Sequence, residues 1–148
     1  MYTHILLPTD GSKLSAKAVK ESIRLAKSIG ARLTAIHVVQ EYQTMLDEGF
    51  VMPAGAALKK RFDEETRKRS QKILDAVKAE AGASNVACEC ITVTSDAPYE
   101  AIVKHAKKAR CDLIAMASHG RKGLSSLLLG SETAKVLTHS TIPVLVIR

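Results

Sequence analysis

The run Leu113-Ile-Ala-Met-Ala-Ser-His-Gly-Arg-Lys-Gly-Leu-Ser-Ser-Leu-Leu-Leu-Gly-Ser-Glu-Thr-Ala-Lys135 decides how this chain is read. Leu113 to Ala117 is apolar throughout and has the length of a strand buried on both faces. It opens into a polar, glycine-bearing loop of Ser118, His119, Gly120, Arg121, Lys122 and Gly123. Gly130 then precedes Ser131, Glu132 and Thr133, and a helical pattern with Ala134, Val136 and Leu137 follows, so Ser131 is expected as a helix N-cap. Free N–H groups at a helix start, glycines that let a ligand approach the backbone, and the charges of Arg121 and Lys122 together describe an anion site. The same order of elements also occurs as an ordinary connection, with Gly120 making a turn and Gly130 ending a short helix. The Gly-Lys-Ser/Thr ending of a P-loop is absent. No Gly-x-Gly-x-x-Gly follows the first apolar run, where Asp10-Gly11-Ser12 stands instead.

Outward from this stretch the chain alternates. Thr3 to Thr9 reads as a buried strand carrying Ile5, Leu6 and Leu7, and Leu14 to Ile29 as a helix stopped by Gly30. Arg32 to Val39 returns to a strand, and strand, helix and strand in succession make a right-handed crossover between parallel strands. Gln40 to Ala57 breaks the pattern. Its Met45, Leu46, Phe50, Val51 and Met52 suit either a flap over a site or a loop packed on the next helix. Leu58 to Ala81 reads as a long helix with Leu58, Phe62, Ile73, Leu74 and Val77 inward, a solvated middle from Asp63 to Lys72, and Gly82 as its stop. Val86 to Thr94 is a third strand. Pro98 introduces a helix over Tyr99 to Ala109, Asp112 to Ala117 is the fourth strand, and Thr141 to Ile147 the fifth. The expectation is a single α/β domain over residues 1–148, doubly wound around five parallel strands with helices on both faces.

Composition narrows the function classes. A hydrophobic share of 46% suits a globular domain, and no apolar run approaches the about 20 residues of a membrane span. No basic region followed by a long apolar stretch marks the start, so a soluble cytoplasmic protein is expected. The net charge of +7 comes from cations mixed with acids on helical patterns, as in Lys59 to Arg69, and aromatic residues are only 3%. That describes solvated helix faces and not a specific nucleic-acid surface. Cys88, Cys90 and Cys111 have no metal-like spacing and read as small core or strand-edge thiols. His37, inside a strand, is expected to be a bonded core histidine, and His4, His105 and His139 carry no signal.

Ala117-Ser-His-Gly120, followed after nine residues by Gly130-Ser131, resembles the Gly-x2-Gly-x9-Gly-Ser/Thr nucleotide motif of universal stress proteins of the ATP-binding type. Ile5-Leu-Leu-Pro-Thr-Asp-Gly-Ser12, Ala35-Ile-His-Val38 and Pro143-Val-Leu-Val146 extend the likeness over nearly the whole chain. Ala117 stands where the motif has its first glycine; a negative φ and a methyl turned from the ligand are the conditions for tolerating it. The resemblance implies a sheet in the order 3-2-1-4-5, and a homodimer in which the Ile142 to Ile147 edge pairs antiparallel with its copy, which would also protect an apolar edge.

The resemblance further implies ATP as ligand, with Mg²⁺. Thr9 and Asp10 fall at the end of the first strand, with Asp10 meeting ribose or, through the metal, phosphate. Val38 meets adenine through its backbone, and Met116, Ala117, Ser118 and His119 lie along the nucleotide. Gly120 and Arg121 face ribose or phosphate, and Gly130, Ser131 and Glu132 offer N–H groups to phosphate. From the residues alone, Asp10 also fits a turn or cap and Arg121 a solvated cation. The function implied is that of a nucleotide-binding stress-response regulator, a dimeric sensor or switch. A slow ATP hydrolase in the same pocket and a dimerisation module without nucleotide are the alternatives. No positioned base supports more than weak ATPase activity, because His119 has no second group fixed beside it by spacing.

Overall fold

The computed structural model describes residues 1–42, 55–120 and 128–148. Five strands and four helices alternate: β1 (His4–Pro8), α1 (Lys13–Ile29), β2 (Arg32–Val39), α2 (Gly55–Ala83), β3 (Cys88–Thr94), α3 (Pro98–Lys108), β4 (Leu113–Ala117), α4 (Ser131–His139) and β5 (Val144–Ile147). The strands form one sheet in the order β3-β2-β1-β4-β5, and every pairing is parallel. Ile5, Leu6 and Leu7 are wholly buried because β1 is central and covered on both faces.

Strand alternation divides the core in two. Ile5, Leu7, Leu33, Ala35, Leu113 and Ala115 pack with Val19, Ile23 and Ala26 of α1 and with Leu74, Val77 and Ala81 of α2. Leu6, Ile36, Ile114 and Met116 pack with Ile102, Val103 and Ala106 of α3 and Val136 of α4. Helices α1 and α2 therefore cover one face and α3 and α4 the other. The order reverses between β1 and β4. That reversal opens a crevice at the carboxyl ends of these two strands.

Three helices return to the sheet through the same device. After α1, Gly30 takes φ +71° and the Ala31 N–H bonds to the Ala26 carbonyl. After α2, Asn85 takes φ +57°, with Val86 N–H on Ala81 O and Asn85 N–H on Gly82 O. After α3, Arg110 takes φ +56°, with Cys111 N–H on Ala106 O and Arg110 N–H on Lys107 O. The paired bonds after α2 and α3 are those of the Schellman ending, and α1 shares its Ala31-to-Ala26 bond; each satisfies the last carbonyls of a helix.

Several expectations need correcting. Gly82 does not stop α2, which continues through Ala83 and is turned by Asn85. Leu58 and Phe62 are not inward: they are 50% and 37% exposed, and Phe62 meets the Tyr42 ring at 5.2 Å. The buried residues of α2, Ser70, Leu74, Val77 and Ala81, all lie in its second half, the part that reaches the sheet. The solvated stretch from Asp63 to Lys72 contains Ser70, which is buried. Strand β5 begins at Val144, after a turn in which the Ser140 hydroxyl bonds the Ile142 carbonyl and accepts its N–H. The loop reading for Gln40 to Ala57 falls largely on residues 43–54, outside the described residues.

Candidate functional site

The crevice is built from the turn after β1 and the loop after β4. In the first, the buried Thr9 hydroxyl meets Ser15 Oγ at 2.7 Å, and the Ser12 hydroxyl accepts the Ser15 N–H as N-cap of α1. Asp10 Oδ1 accepts the Ser12 N–H at 2.9 Å, so one carboxylate oxygen holds the turn. The other reaches across the crevice: a Cβ on Gly120 would stand 2.6 Å from Asp10 Oδ2. Gly11, at φ +75°, supplies the left-handed step of this turn.

The β4 side is equally close. Ser118 N–H bonds to Ile147 O, and Ser118 O accepts the Gly130 N–H at 2.8 Å, which ties the two ends of the loop together. A Cβ on Gly130 would lie 2.9 Å from Ser118 O and 3.2 Å from His119 Cα, both backbone atoms. Gly130 has φ −61°, so space and not left-handed backbone explains the glycine. It is also the N-cap of α4, without any side-chain cap bond, which corrects the expectation for Ser131. Ser131 is the first helical residue. The N-terminal N–H groups of α4 thus stand beside the loop with no side chain at the cap.

His119 Nδ1 lies 3.0 Å from Ser118 Oγ, while its Nε2 is buried without a partner among the described residues. Met116 and Ala117 end β4, both buried, and the Ala117 carbonyl accepts the Thr133 hydroxyl at 2.9 Å. Ala117 is not among the residues of positive φ, and alternation puts its methyl on the face of Leu113 and Ala115. Val38 packs on the opposite face, with the α3 and α4 core. Asp10, Gly120 and Gly130 therefore converge on one crevice, whereas Val38 lies one strand away at the end of β2. Arg121 lies outside the described residues.

Glu132 stands in the first turn of α4, where its backbone N–H is one of the helix-start groups. Its side chain turns away from the loop: Oε2 accepts the Tyr99 N–H at 2.9 Å and Oε1 pairs with Lys135 Nζ at 3.2 Å. Ala97, the N-cap of α3, has no side-chain bond of its own, so Glu132 caps that helix from outside it.

Three contributors were not singled out in the sequence. Ser15 holds Thr9, Thr133 holds Ala117, and Ser70 reaches His37 Nδ1 at 2.8 Å. Ser70 precedes Leu74, Val77 and Ala81 at helical spacing, a stripe that could have identified it. His37 is buried and bonded, as expected of a core histidine. Burial pushes its pKa down, Asp10 opposes this and Arg69 adds to it, so His37 lies within the field of the crevice carboxylate. The thiols are poor nucleophiles. Burial pushes Cys88 up to about 12 and Cys111 up to about 11.

A parallel α/β domain with a backbone-lined crevice at its order reversal belongs to a class that binds ligands at that edge. Residues 1–148 match the Universal stress protein family, and the chain belongs to it. It is similar to universal stress protein YxiE of Bacillus subtilis, 35% identical over 150 residues with both chains covered in full. The solved structure of MJ0577 superposes with a TM-score of 0.78 at 33% identity, covering 99% of this chain and 96% of that one; that protein comes from Methanocaldococcus jannaschii. A universal stress protein solved in complex with cAMP shares the fold, with a TM-score of 0.68 at 24% identity over 99% of this chain and 97% of its own. Among the described residues, no helix is long and apolar enough to cross a membrane, and no three His, Cys, Asp or Glu side chains gather as a metal site.

Proposed function

We propose that this chain binds an adenine nucleotide, ATP foremost, in the crevice between the ends of β1 and β4, and that it acts as a stress-response regulator through occupancy of that site. The observation that carries the reading is the closeness of backbone at Gly120 and Gly130: a methyl at either position would collide, at 2.6 Å with the Asp10 carboxylate or at 2.9 Å with the Ser118 carbonyl. A glycine cap at a helix start, with backbone packed too closely for any side chain, suits phosphate. The orphaned His119 Nε2 is a further buried polar atom beside the same loop. Mg²⁺ would enter with the phosphate chain and supply charge neutralisation, with Asp10 the carboxylate placed to meet it. Ala117 is not among the residues of positive φ, and strand alternation turns its methyl to the face of Leu113 and Ala115, so Ala117→Gly should leave affinity unchanged.

Hydrolysis is not the reading favoured. His119 holds Ser118 with one nitrogen and buries the other, so neither is presented to a water. We also propose a homodimer through β5, whose outer edge is unpaired within the sheet and carries Leu145, 39% exposed. A cytoplasmic location accords with this role. Leu145→Lys should shift the mass measured by light scattering from dimer to monomer, and a wild-type monomer would overturn the proposal.

Calorimetric titration with ATP, ADP, AMP and cyclic AMP, with and without Mg²⁺, tests the main reading on protein freed of copurified nucleotide. Saturable binding at about one site per chain is expected. A folded protein silent to every nucleotide would leave the dimerisation module as the surviving alternative.

A further inference from the structure

Helix α4 is only nine residues long and buries Thr133 and Val136 alone. A helix of this length does not hold its own position in water, yet its first turn must stay aimed at the loop after β4. Its start is tied to β4 by the Thr133 hydroxyl on Ala117 O and the Gly130 N–H on Ser118 O, and its direction is further set by contacts with one residue of α3. The Tyr99 N–H donates to Glu132 Oε2 at 2.9 Å. The Tyr99 ring lies under Lys135 Nζ, 5.4 Å from its centroid, and meets the His139 ring at 4.9 Å. Glu132, Lys135 and His139 follow each other along one side of α4 at spacings that share a face. Glu132 and Lys135 are themselves paired at 3.2 Å.

We propose that Glu132 is a positioning residue for the phosphate-binding end of the site: by accepting the Tyr99 N–H it locks the start of α4 to the start of α3 and thereby sets the direction of the α4 N-terminal N–H groups. This rests on the nucleotide reading above. A carboxylate in the first turn of a helix adds to the favourable dipole energy of that helix but repels an approaching phosphate. The bond to Tyr99 turns that charge toward α3, where the Tyr99 N–H at a second helix start receives it. Glu132 thus acts on the ligand through α4 and not by touching it.

Two substitutions separate reach from charge. Glu132→Gln keeps an acceptor oxygen at the same reach and discards the charge. Glu132→Asp keeps the charge and falls short by a methylene. Affinities for ATP and for adenosine, which has no phosphate, are measured by calorimetry on folded dimers, with melting temperature as a check on each variant. The expected result is ATP affinity within about three-fold of wild type for Glu132→Gln and weakened about ten-fold for Glu132→Asp and Glu132→Ala, with adenosine unmoved in all three. Unchanged or tighter ATP binding by Glu132→Asp overturns the proposal, as does weakening by Glu132→Gln equal to that by Glu132→Asp, since charge would then be the cause. Equal loss of adenosine and ATP overturns it as well, by showing a general loss of structure. Should Glu132→Ala not fold, the Gln and Asp pair still decides. A wild-type protein that binds neither ligand defeats the nucleotide reading itself, an outcome visible before any variant is made.

Discussion

The two ends of the sheet are built to different rules. At the amino end the connections are short: left-handed residues at Gly30, Asn85 and Arg110 close three helices. Asp112 accepts the Thr3 N–H, the Thr3 hydroxyl and the His4 N–H, at 2.8, 2.8 and 2.9 Å. At the carboxyl end the two longest connections leave β2 and β4. There Gly130 stands against backbone and Gly120 against the Asp10 carboxylate. One end joins strands. The other forgoes part of that economy, and a binding site is where such exceptions are expected.

The contrast is broken most severely at Gly130. Its added Cβ meets backbone, which cannot swing aside, so Gly130→Val should lower nucleotide affinity by more than about 100-fold and also cost about 1–3 kcal/mol of stability through overpacking. Gly120→Ala separates these effects, because its Cβ meets only the end of the Asp10 side chain. Calorimetry and denaturant unfolding should show weakened binding with nearly unchanged stability for Gly120→Ala. Equal stability losses in both variants would mean that the carboxyl end is as structural as the amino end.

Asp112 is the matching test at the other end. Asp112→Ala strands three donors, two of them solvent-accessible, and should cost about 2 kcal/mol in urea unfolding while leaving nucleotide affinity intact. Although burial pushes its carboxyl up, the His4 and Thr3 bonds outweigh this and hold it below the ordinary carboxylate range. A folded-state value below the unfolded one means stability that is present above the ordinary carboxylate pKa and lost as pH falls through the folded value. The acid-unfolding midpoint should therefore rise in Asp112→Asn, which cannot contribute that ionised form.

His4 gives a smaller effect in a different window. Burial, and then the charge of Arg32, pushes its pKa down, and its Nε2 lies 2.8 Å from Thr34 Oγ1. The neutral ring is the one that fits. Its contribution is complete above the ordinary histidine pKa of about 6.5 and declines as pH drops below it, because the unfolded chain takes up the proton first. Melting temperature should fall from pH 7 toward pH 5, and less steeply in His4→Gln. An unchanged slope would assign the pH dependence to His37 or His105, whose pKa values burial also lowers.

Most of the fold was legible because it is written in local pattern. Ile5 to Leu7 and Leu113 to Ala117 are continuous apolar runs, and Gly30 stops a striped helix, so alternation and layers follow from neighbours in sequence. The site was legible as far as the glycines and Asp10. What escaped depends on pairs far apart in the chain: Glu132 with Tyr99, and Ser70 with His37, are each 33 residues apart. No periodicity announces that a glutamate in the first turn of one helix will cap another. The N-cap was misplaced by one residue for a related reason. Ser131 has the chemistry of a cap, but the loop closure between Ser118 and Gly130 requires glycine at that step.

The smallest effect is the most direct test of how well the amino end is optimised. Gly30 ends α1 in the left-handed region at no steric cost, whereas Arg110 ends α3 there with a Cβ that crowds its carbonyl. The penalty for a non-glycine residue is about 1–2 kcal/mol, partly offset because glycine gives the unfolded chain more freedom. Arg110→Gly should therefore stabilise the protein by about 0.5–1 kcal/mol, with Cys111 N–H still on Ala106 O and the ligand site untouched. A loss of stability would show instead that the arginine side chain contributes more than its backbone conformation costs, and that the two ends of the sheet differ less in economy than their turns suggest.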